Sequence, residues 1–433
     1  MTEIAIIGAG MAGFGAAYAI HQRGLKHLIY EQNDYHGGHA ATFVKDGFVF
    51  DDGPHISFTK DERLQALFSK SVNDRFEMIR AGANNYWKGI WIKHPAQRNL
   101  YGLPTDLVVD ILADYIERDT HLEIKNYKDW LYASFGKLFA ETFPMRYGLK
   151  FHTSKAANMS TEWVGPRLYQ PDLKEILHGA LSPSTPDVHY VDHFRYPTQG
   201  GFVSFLDGFL DATAIKLNHR IVEIDGVNNI LYFADGKHAH YDALISTAPL
   251  PELIPMIQNV PDTIRQAADR LACTCCVLVN IGIDRSDISD AQWTYFYDDD
   301  IIFTRLSYPH MLSPQNAPPE SGSIQAEIYF SKKYKPLDIN PDDCIPRVTS
   351  DLKRCGLLTP GDTIRYAEAR EVPYANIIFD LDRESALGMV HNYLDENGIG
   401  YAGRYGEWGY HWTDESFLSG EKAARRVLEQ MNL

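Results

Sequence analysis

The stretch Glu3–Ala17, EIAIIGAGMAGFGAA, joins a short apolar run to a glycine-rich turn and then to a helix-forming segment. Glu3 to Ile7 reads as a strand, and the helical run continues through Ala16, Ala17 and Ile20. Gly8, Gly10 and Gly13 take the spacing of a dinucleotide-binding turn. There the first glycine makes the tight turn, the second lets backbone approach a pyrophosphate, and the third lets helix and strand pack closely. Lys26 to Tyr30 predicts a second strand, and Glu31 ends it where an acid would bind ribose hydroxyls. The turn by itself leaves NAD and FAD both open.

The chain of 433 residues is 45% hydrophobic, enough for a large core divided into two or three structural domains. Lys+Arg 41 against Asp+Glu 57 gives a net charge of -16, which argues against nucleic acid as a partner. No basic leader precedes Ile4, and no apolar window is long enough for a membrane span, so a soluble, cytoplasmic protein is expected. The five cysteines, three of them in the strand-like ACTCCVLVNIGI, read as buried thiols rather than a disulfide framework. His36 and His39 enclose Gly37-Gly38, which the cofactor loop already accounts for, so no metal site is expected. No catalytic carboxylate pair or Ser-His-Asp order emerges.

Further along, Gly37-Gly38 is followed by the extended GFVFDDGPHISF (47–58), and HRIVEIDGVNNILYFADGKHAHYDALISTAPLPEL (219–253) alternates in strand fashion. SFLSGEKAARRVLEQM (416–431) patterns as a closing helix whose N-terminal amides could face a flavin, with Asp414, Glu415 or Ser416 as capping candidates. These stretches resemble two-domain flavoproteins of the amine oxidase and protoporphyrinogen oxidase type. The resemblance implies FAD, with Gly38, His39, Val222 and Gly403 at the cofactor beside the residues above. It implies a Rossmann-type α/β domain assembled from 1–78, 191–272 and 391–433. Segment 79–104 is then a sheet and substrate loop. Apolar residues at helical spacing in LVVDILADYIERDT (107–120), YKDWLYASFGKLFAETF (127–143) and DLKEILHGAL (172–181) predict a mostly helical substrate insert over 105–190, and the β-rich block from CCVLVNIGI (275–283) to DTIRYAEAREVPYANIIF (362–379) predicts a β-sheet domain over the flavin within 273–390.

Five more stretches occur in order: WIKHPAQRNLYGLP (91–104), MSTEWVGPRL (159–168), YPTQGGFVSFLDGFL (196–210), FTRLSYPHMLSPQN (303–316) and AGRYGEWGYHW (402–412). Each is similar to a piece of the UDP-galactopyranose mutases, especially their eukaryotic-type branch. The resemblance implies an isomerase that interconverts pyranose and furanose forms of a nucleotide hexose, by default UDP-galactose. In that family reduced FAD attacks the anomeric carbon through N5, and an external reductant such as NAD(P)H primes the flavin. A leaving diphosphate calls for arginines. The resemblance places Arg305 and Arg404 there, with Tyr374 and Tyr410 reaching the same phosphates, Arg167 in the substrate domain, and His55 over the flavin. It puts His94 and Gln97 at the nucleobase. His94 stands where the family has a tyrosine, and Gly148 and His152 where the eukaryotic-type pattern has asparagine and tryptophan, so nucleotide and sugar stay open.

A true oxidoreductase of the amine oxidase superfamily, with Trp408, Tyr410 and Trp412 as an aromatic cage, is the alternative. An idle flavoprotein that docks a partner through its acidic surface is a third reading. A surface-polysaccharide pathway follows only from the family. Oligomeric state is not legible in the chain.

Overall fold

The computed structural model describes residues 3–187 and 191–433. β1 (Glu3–Ile7) buries its four aliphatic residues, and α1 (Met11–Gln22) follows directly on the glycine turn. β2 (Lys26–Tyr30) lies parallel to β1, with Ile7 opposite Tyr30. The first sheet runs Ile399–Tyr401, Ala243–Ser246, β1, β2, Ile215–Lys216, all parallel, and so takes strands from the start, middle and end of the chain. Its order reverses between β1 and Ala243–Ser246, where the carboxyl ends of a parallel sheet open a ligand crevice. Gly8 and Thr247, the next residues of those two strands, face each other there. A Cβ on Gly8, whose φ is 96°, would sit 2.4 Å from Thr247 Oγ1.

The closing helix, Thr413–Gln430, packs along α1 at a distance only glycine permits. A Cβ on Gly15 would come 2.0 Å from the Phe417 carbonyl oxygen, and one on Gly420 would come 1.9 Å from that of Ala12. Gly13 brings α1 onto its own entry turn in the same way, a Cβ there lying 2.0 Å from the Gly8 carbonyl oxygen. The two helices thereby present their N-terminal ends to one place.

A second sheet has seven strands in the order Ile364–Val372, Thr274–Ile283, Gly322–Ser331, Arg305–Ser307, Trp293–Phe296, Ala83–Trp87 and Ile90–Lys93. Gly322–Ser331 is buried along its whole length. One face of the sheet packs Val277, Val279 and Ile281 against Val348 and Leu352 of the helix Cys344–Arg354. From Thr274–Ile283, Cys276 and Leu278 alternate to the other face and reach the cavity described below. Strand Ile364–Val372 ends before Pro373, which cannot continue the ladder. All five cysteines are free thiols.

The insert is helical over Thr105–Glu117, Tyr127–Phe135, Lys137–Thr142, Pro144–His152 and Leu173–Leu181. Asn126 caps the second of these by accepting from Asp129 N, and Gly136, at φ 80°, divides what reads in sequence as one helix. Asp172 and Glu175 form a reciprocal capping box for the last. Tyr127, Phe135, Phe139 and Phe151 turn inward toward the sheets. Among the described residues no helix is long and apolar enough to cross a membrane.

Candidate active site

One cavity of about 1140 Å³ runs from the crevice of the first sheet to the gap between the helical insert and the second sheet. At the crevice end its wall is the glycine turn, Glu31, the Gly37–Ala40 loop, Thr247, Gly403 and Ser416. Gly10 leaves this wall bare, since a Cβ there would find nothing nearer than the Gly37 oxygen and Gly38 Cα at 3.8 Å. Glu31 is buried and ties the turn together, accepting from Ala9 N at 2.8 Å and from Asn33 N and Nδ2 at 2.9 Å. α1 begins with no acidic residue in its first turn, so its amides and the positive end of its dipole are available to an anion. A bare glycine wall, a buried acid and a helix start fit the pyrophosphate and ribose of a dinucleotide. Gly8, Gly10, Gly38, His39, Gly403 and Ser416 all lie on that wall.

Three residues expected at the cofactor do not line the cavity: Gly13, packed against its own entry turn, Val222 and Asp414. Val222 sits at a register shift between Ile221 and Glu223 and is 46% exposed, while His219, Arg220 and Ile221 line the cavity instead. Thr413 and Ser416, three apart, share the cavity-facing side of the closing helix, which turns Asp414 away. Of the capping candidates it is Glu415 that closes the helix start, accepting from Trp412 N at 2.8 Å.

His55 accepts a fixed tautomer from its surroundings. Its Nδ1 lies 2.8 Å from the Gly53 carbonyl, which can only accept, so Nδ1 carries the hydrogen and Nε2 is left as an acceptor. Burial, with lesser contributions from His39, Arg404 and Arg305, lowers its pKa to about 3. His39 is lowered to about 4, by burial first and the Arg404 guanidinium second. Both rings are therefore neutral at working pH, and His39 also packs against Tyr405 with centroids 5.0 Å apart.

The far end of the cavity holds the arginines. Arg404 donates through Nε and Nη2 to the His411 carbonyl at 3.0 and 2.6 Å and through Nη1 to the Ala375 carbonyl at 3.2 Å. Arg167 donates to the carbonyls of Trp163 and Tyr410 at 3.1 and 2.8 Å, and its Nε is buried without a partner. Both guanidiniums lie over the Tyr410 ring, Arg167 4.5 Å and Arg404 5.2 Å from its centroid. Among the described residues neither arginine has a carboxylate within ion-pair distance, so two positive charges converge uncompensated.

Arg305 differs from expectation. It lines the cavity, but Glu327, 1% exposed, takes its guanidinium in a bidentate pair at 2.7 and 2.9 Å and also accepts from Tyr329. The antiparallel register sets Arg305 directly opposite Glu327, so its charge is neutralised inside the protein. Tyr374 lines the cavity too, with its hydroxyl committed to Glu252 at 2.7 Å. His94 stacks on Tyr295 with centroids 5.2 Å apart, and Gln97 donates one amide hydrogen to the Tyr169 carbonyl at 3.0 Å. Both reach the cavity. Glu327 carries no signal in the sequence, because only strand register reveals it. His411 lies inside AGRYGEWGYHW, but that its carbonyl holds Arg404 appears only in the structure.

Residues 6–71 match the family model described as NAD(P)-binding Rossmann-like domain. The crystal structure of reduced UDP-galactopyranose mutase superposes with a TM-score of 0.93 at 25% identity, covering 99% of this chain and 96% of that one. Among sequence relatives, 4,4'-diapolycopene oxygenase of Methylomonas sp is 24% identical over 422 residues, 82% of this chain and 81% of that protein. A 4,4'-diapophytoene desaturase of Staphylococcus haemolyticus is 42% identical over 74 residues, which are 17% of this chain and only 14% of the desaturase. The fold is thus Rossmann-type α/β with a mixed second sheet, the architecture of a superfamily of FAD-dependent enzymes, and it implies a cofactor of the FAD type. The relatives named by sequence and by structure differ in chemistry.

Proposed function

We propose that the protein is a flavin-dependent mutase interconverting the pyranose and furanose forms of a nucleotide hexose, with UDP-galactose the default substrate. The observation that carries this is the pair of guanidiniums, Arg167 and Arg404, gathered at the Tyr410 ring with no carboxylate in ion-pair contact with either among the described residues. A cavity that is to hold a diphosphate needs uncompensated fixed cations, whereas a neutral hydrocarbon substrate does not. The likeness to reduced UDP-galactopyranose mutase over nearly the whole chain supports the same reading.

FAD in its reduced form, when bound, supplies a nucleophile for the anomeric carbon with no net redox change. Gly8, Gly10, Gly38 and Gly403 would admit its pyrophosphate, and Glu31 its ribose. Arg404 and Arg167 would hold the diphosphate as it leaves with the electron pair of the broken C–O bond. His55, neutral with Nδ1 donated to Gly53, offers an acceptor at Nε2 and adds no charge beside the flavin. Tyr147, Phe151 and Trp163 wall the site and exclude water from the opened sugar.

That aromatic wall favours a second reading, a hydride-transferring oxidoreductase with an apolar substrate, in keeping with the oxygenase and desaturase relatives. Anaerobic incubation with UDP-, dTDP- and GDP-hexoses separates the two. A product of unchanged mass formed only after dithionite reduction is the expected result. Bleaching of oxidised flavin by an apolar substrate, with no sugar isomer, would establish the oxidoreductase instead.

A further inference from the structure

His411 sits beside the two free guanidiniums, and nothing above gives its side chain a task. Its Nε2 lies 3.3 Å from Glu407 Oε2. A carboxylate only accepts, so in the neutral ring Nε2 carries the hydrogen and Nδ1 the lone pair. That Nδ1 is buried and has no hydrogen-bond partner. The ring lines the cavity, and the residue's own carbonyl holds Arg404. Glu407 is held in turn, its other oxygen accepting from Ser419 Oγ at 2.6 Å, while Ser419 accepts from Gly403 N at 2.8 Å.

Four charged groups face the ring from three sides. Glu407 and Arg404 belong to the Gly403–Gly406 turn and its end, Glu415 to the closing helix, and Arg167 to the insert. The carboxylates favour a protonated ring; burial and the two guanidiniums oppose it and prevail, lowering its pKa. An anion laid on Arg167 and Arg404 offsets the guanidiniums' share of that opposition and adds a negative charge beside the ring, and Nδ1 then gains both a proton and an acceptor to donate it to.

We infer that His411 is a proton-linked binding residue of the diphosphate subsite, neutral in the empty cavity and protonated at Nδ1 when the diphosphate of a nucleotide sugar occupies it. The inference rests on the diphosphate reading of the cavity. It makes affinity for the substrate rise as pH falls, and it returns the proton when the diphosphate departs.

The test is calorimetry of the flavin-loaded, oxidised protein with UDP-, dTDP- and GDP-hexoses, in buffers of different ionisation enthalpy. Both phosphates of these probes are diesters and do not titrate in the range from about pH 6 to about pH 8.5, where the linkage is read. The expected result is uptake of close to one proton per bound nucleotide sugar, with affinity tightening by up to about tenfold per pH unit downward. His411→Asn should abolish the uptake, with flavin absorbance checking that it folds. Glu407→Gln should keep the uptake but move it to lower pH, because the ring loses its stabilising carboxylate. Binding without proton uptake, or equal uptake in His411→Asn, overturns the inference and leaves the diphosphate site standing. Binding of none of the probes by flavin-loaded protein overturns both.

Discussion

Arg404 and Arg305 carry the same side chain and lie in the same cavity, yet their partners give them different work. Arg404 gives its hydrogen bonds to carbonyls and keeps its charge, whereas Arg305 is matched by Glu327. Lysine at 404 retains a charge but cannot bridge the His411 carbonyl with two nitrogens. Arg404→Lys should therefore weaken nucleotide-sugar binding by about ten- to a hundredfold with flavin content unchanged, the loss of one or two charge-assisted hydrogen bonds. Equilibrium titration of the flavin-loaded variant checks it. Glu327→Ala leaves the Arg305 cation half-buried beside Tyr147 and Tyr329 with nothing to compensate it. It should cost about 3–5 kcal/mol of stability, measured by urea unfolding, and Glu327→Gln less, since the amide still accepts one hydrogen bond.

At the scale of elements, the contact of α1 with the closing helix decides whether the crevice forms. Gly15 and Gly420 let the two backbones touch, and their first turns then open together onto the cavity. Gly420→Ala puts a methyl carbon 1.9 Å from the Ala12 oxygen, where neither backbone can yield without moving a whole helix. The expected loss is about 1–3 kcal/mol from overpacking, accompanied by weaker flavin retention as the helix starts separate. Thermal unfolding and flavin release on gel filtration read the two effects. Gly24 is the control: a Cβ there meets nothing within 4 Å, but its φ is 69°, so Gly24→Asn should be tolerated and leave flavin retention unchanged.

Across the whole molecule, histidines held neutral by burial set how stability responds to acid. His152, 2% exposed at the end of Pro144–His152, is lowered to about 3 by burial alone. His39 and His55 are lowered as well. Each takes up a proton more readily when unfolded. The stability they contribute is therefore complete above the unfolded value of about 6.5 and is lost as pH falls toward the folded values. Asp51 acts the other way: burial raises it to about 6, so its contribution is present below its unfolded value and lost as pH rises through about 6. Acid should win the balance, because three buried rings are lowered to about 3 or 4 while among the described residues Asp51 is the one carboxyl raised as far as about 6. His152→Phe should remove one proton from the slope between about pH 6 and about pH 4, close to 1.4 kcal/mol per pH unit. Urea midpoints at several pH values decide it, and an unchanged slope would mean that the ring is not held neutral.

The Rossmann-type entry, the helical insert and the strand-rich second sheet are legible in local pattern. These rest on local spacing: Gly8, Gly10 and Gly13 in the dinucleotide-binding pattern and apolar residues at periods of two and 3.6. The sequence also brought out the motif residues that line the cavity, because Gly8, His55, His94, Arg167 and Arg404 each sit in a recognisable short stretch. Which of them keep their charge is set by contacts between distant segments. Arg305 and Glu327 are 22 residues apart and meet through strand register, and Arg167 and Tyr410 are 243 apart and meet across the insert. Val222 and Asp414 belong to the right segments but face away, since a one-residue slip in a strand, or two along a helix, turns a side chain from the cavity to solvent. Charge compensation and facing depend on contacts between distant parts of the chain, and local pattern carries no information about these.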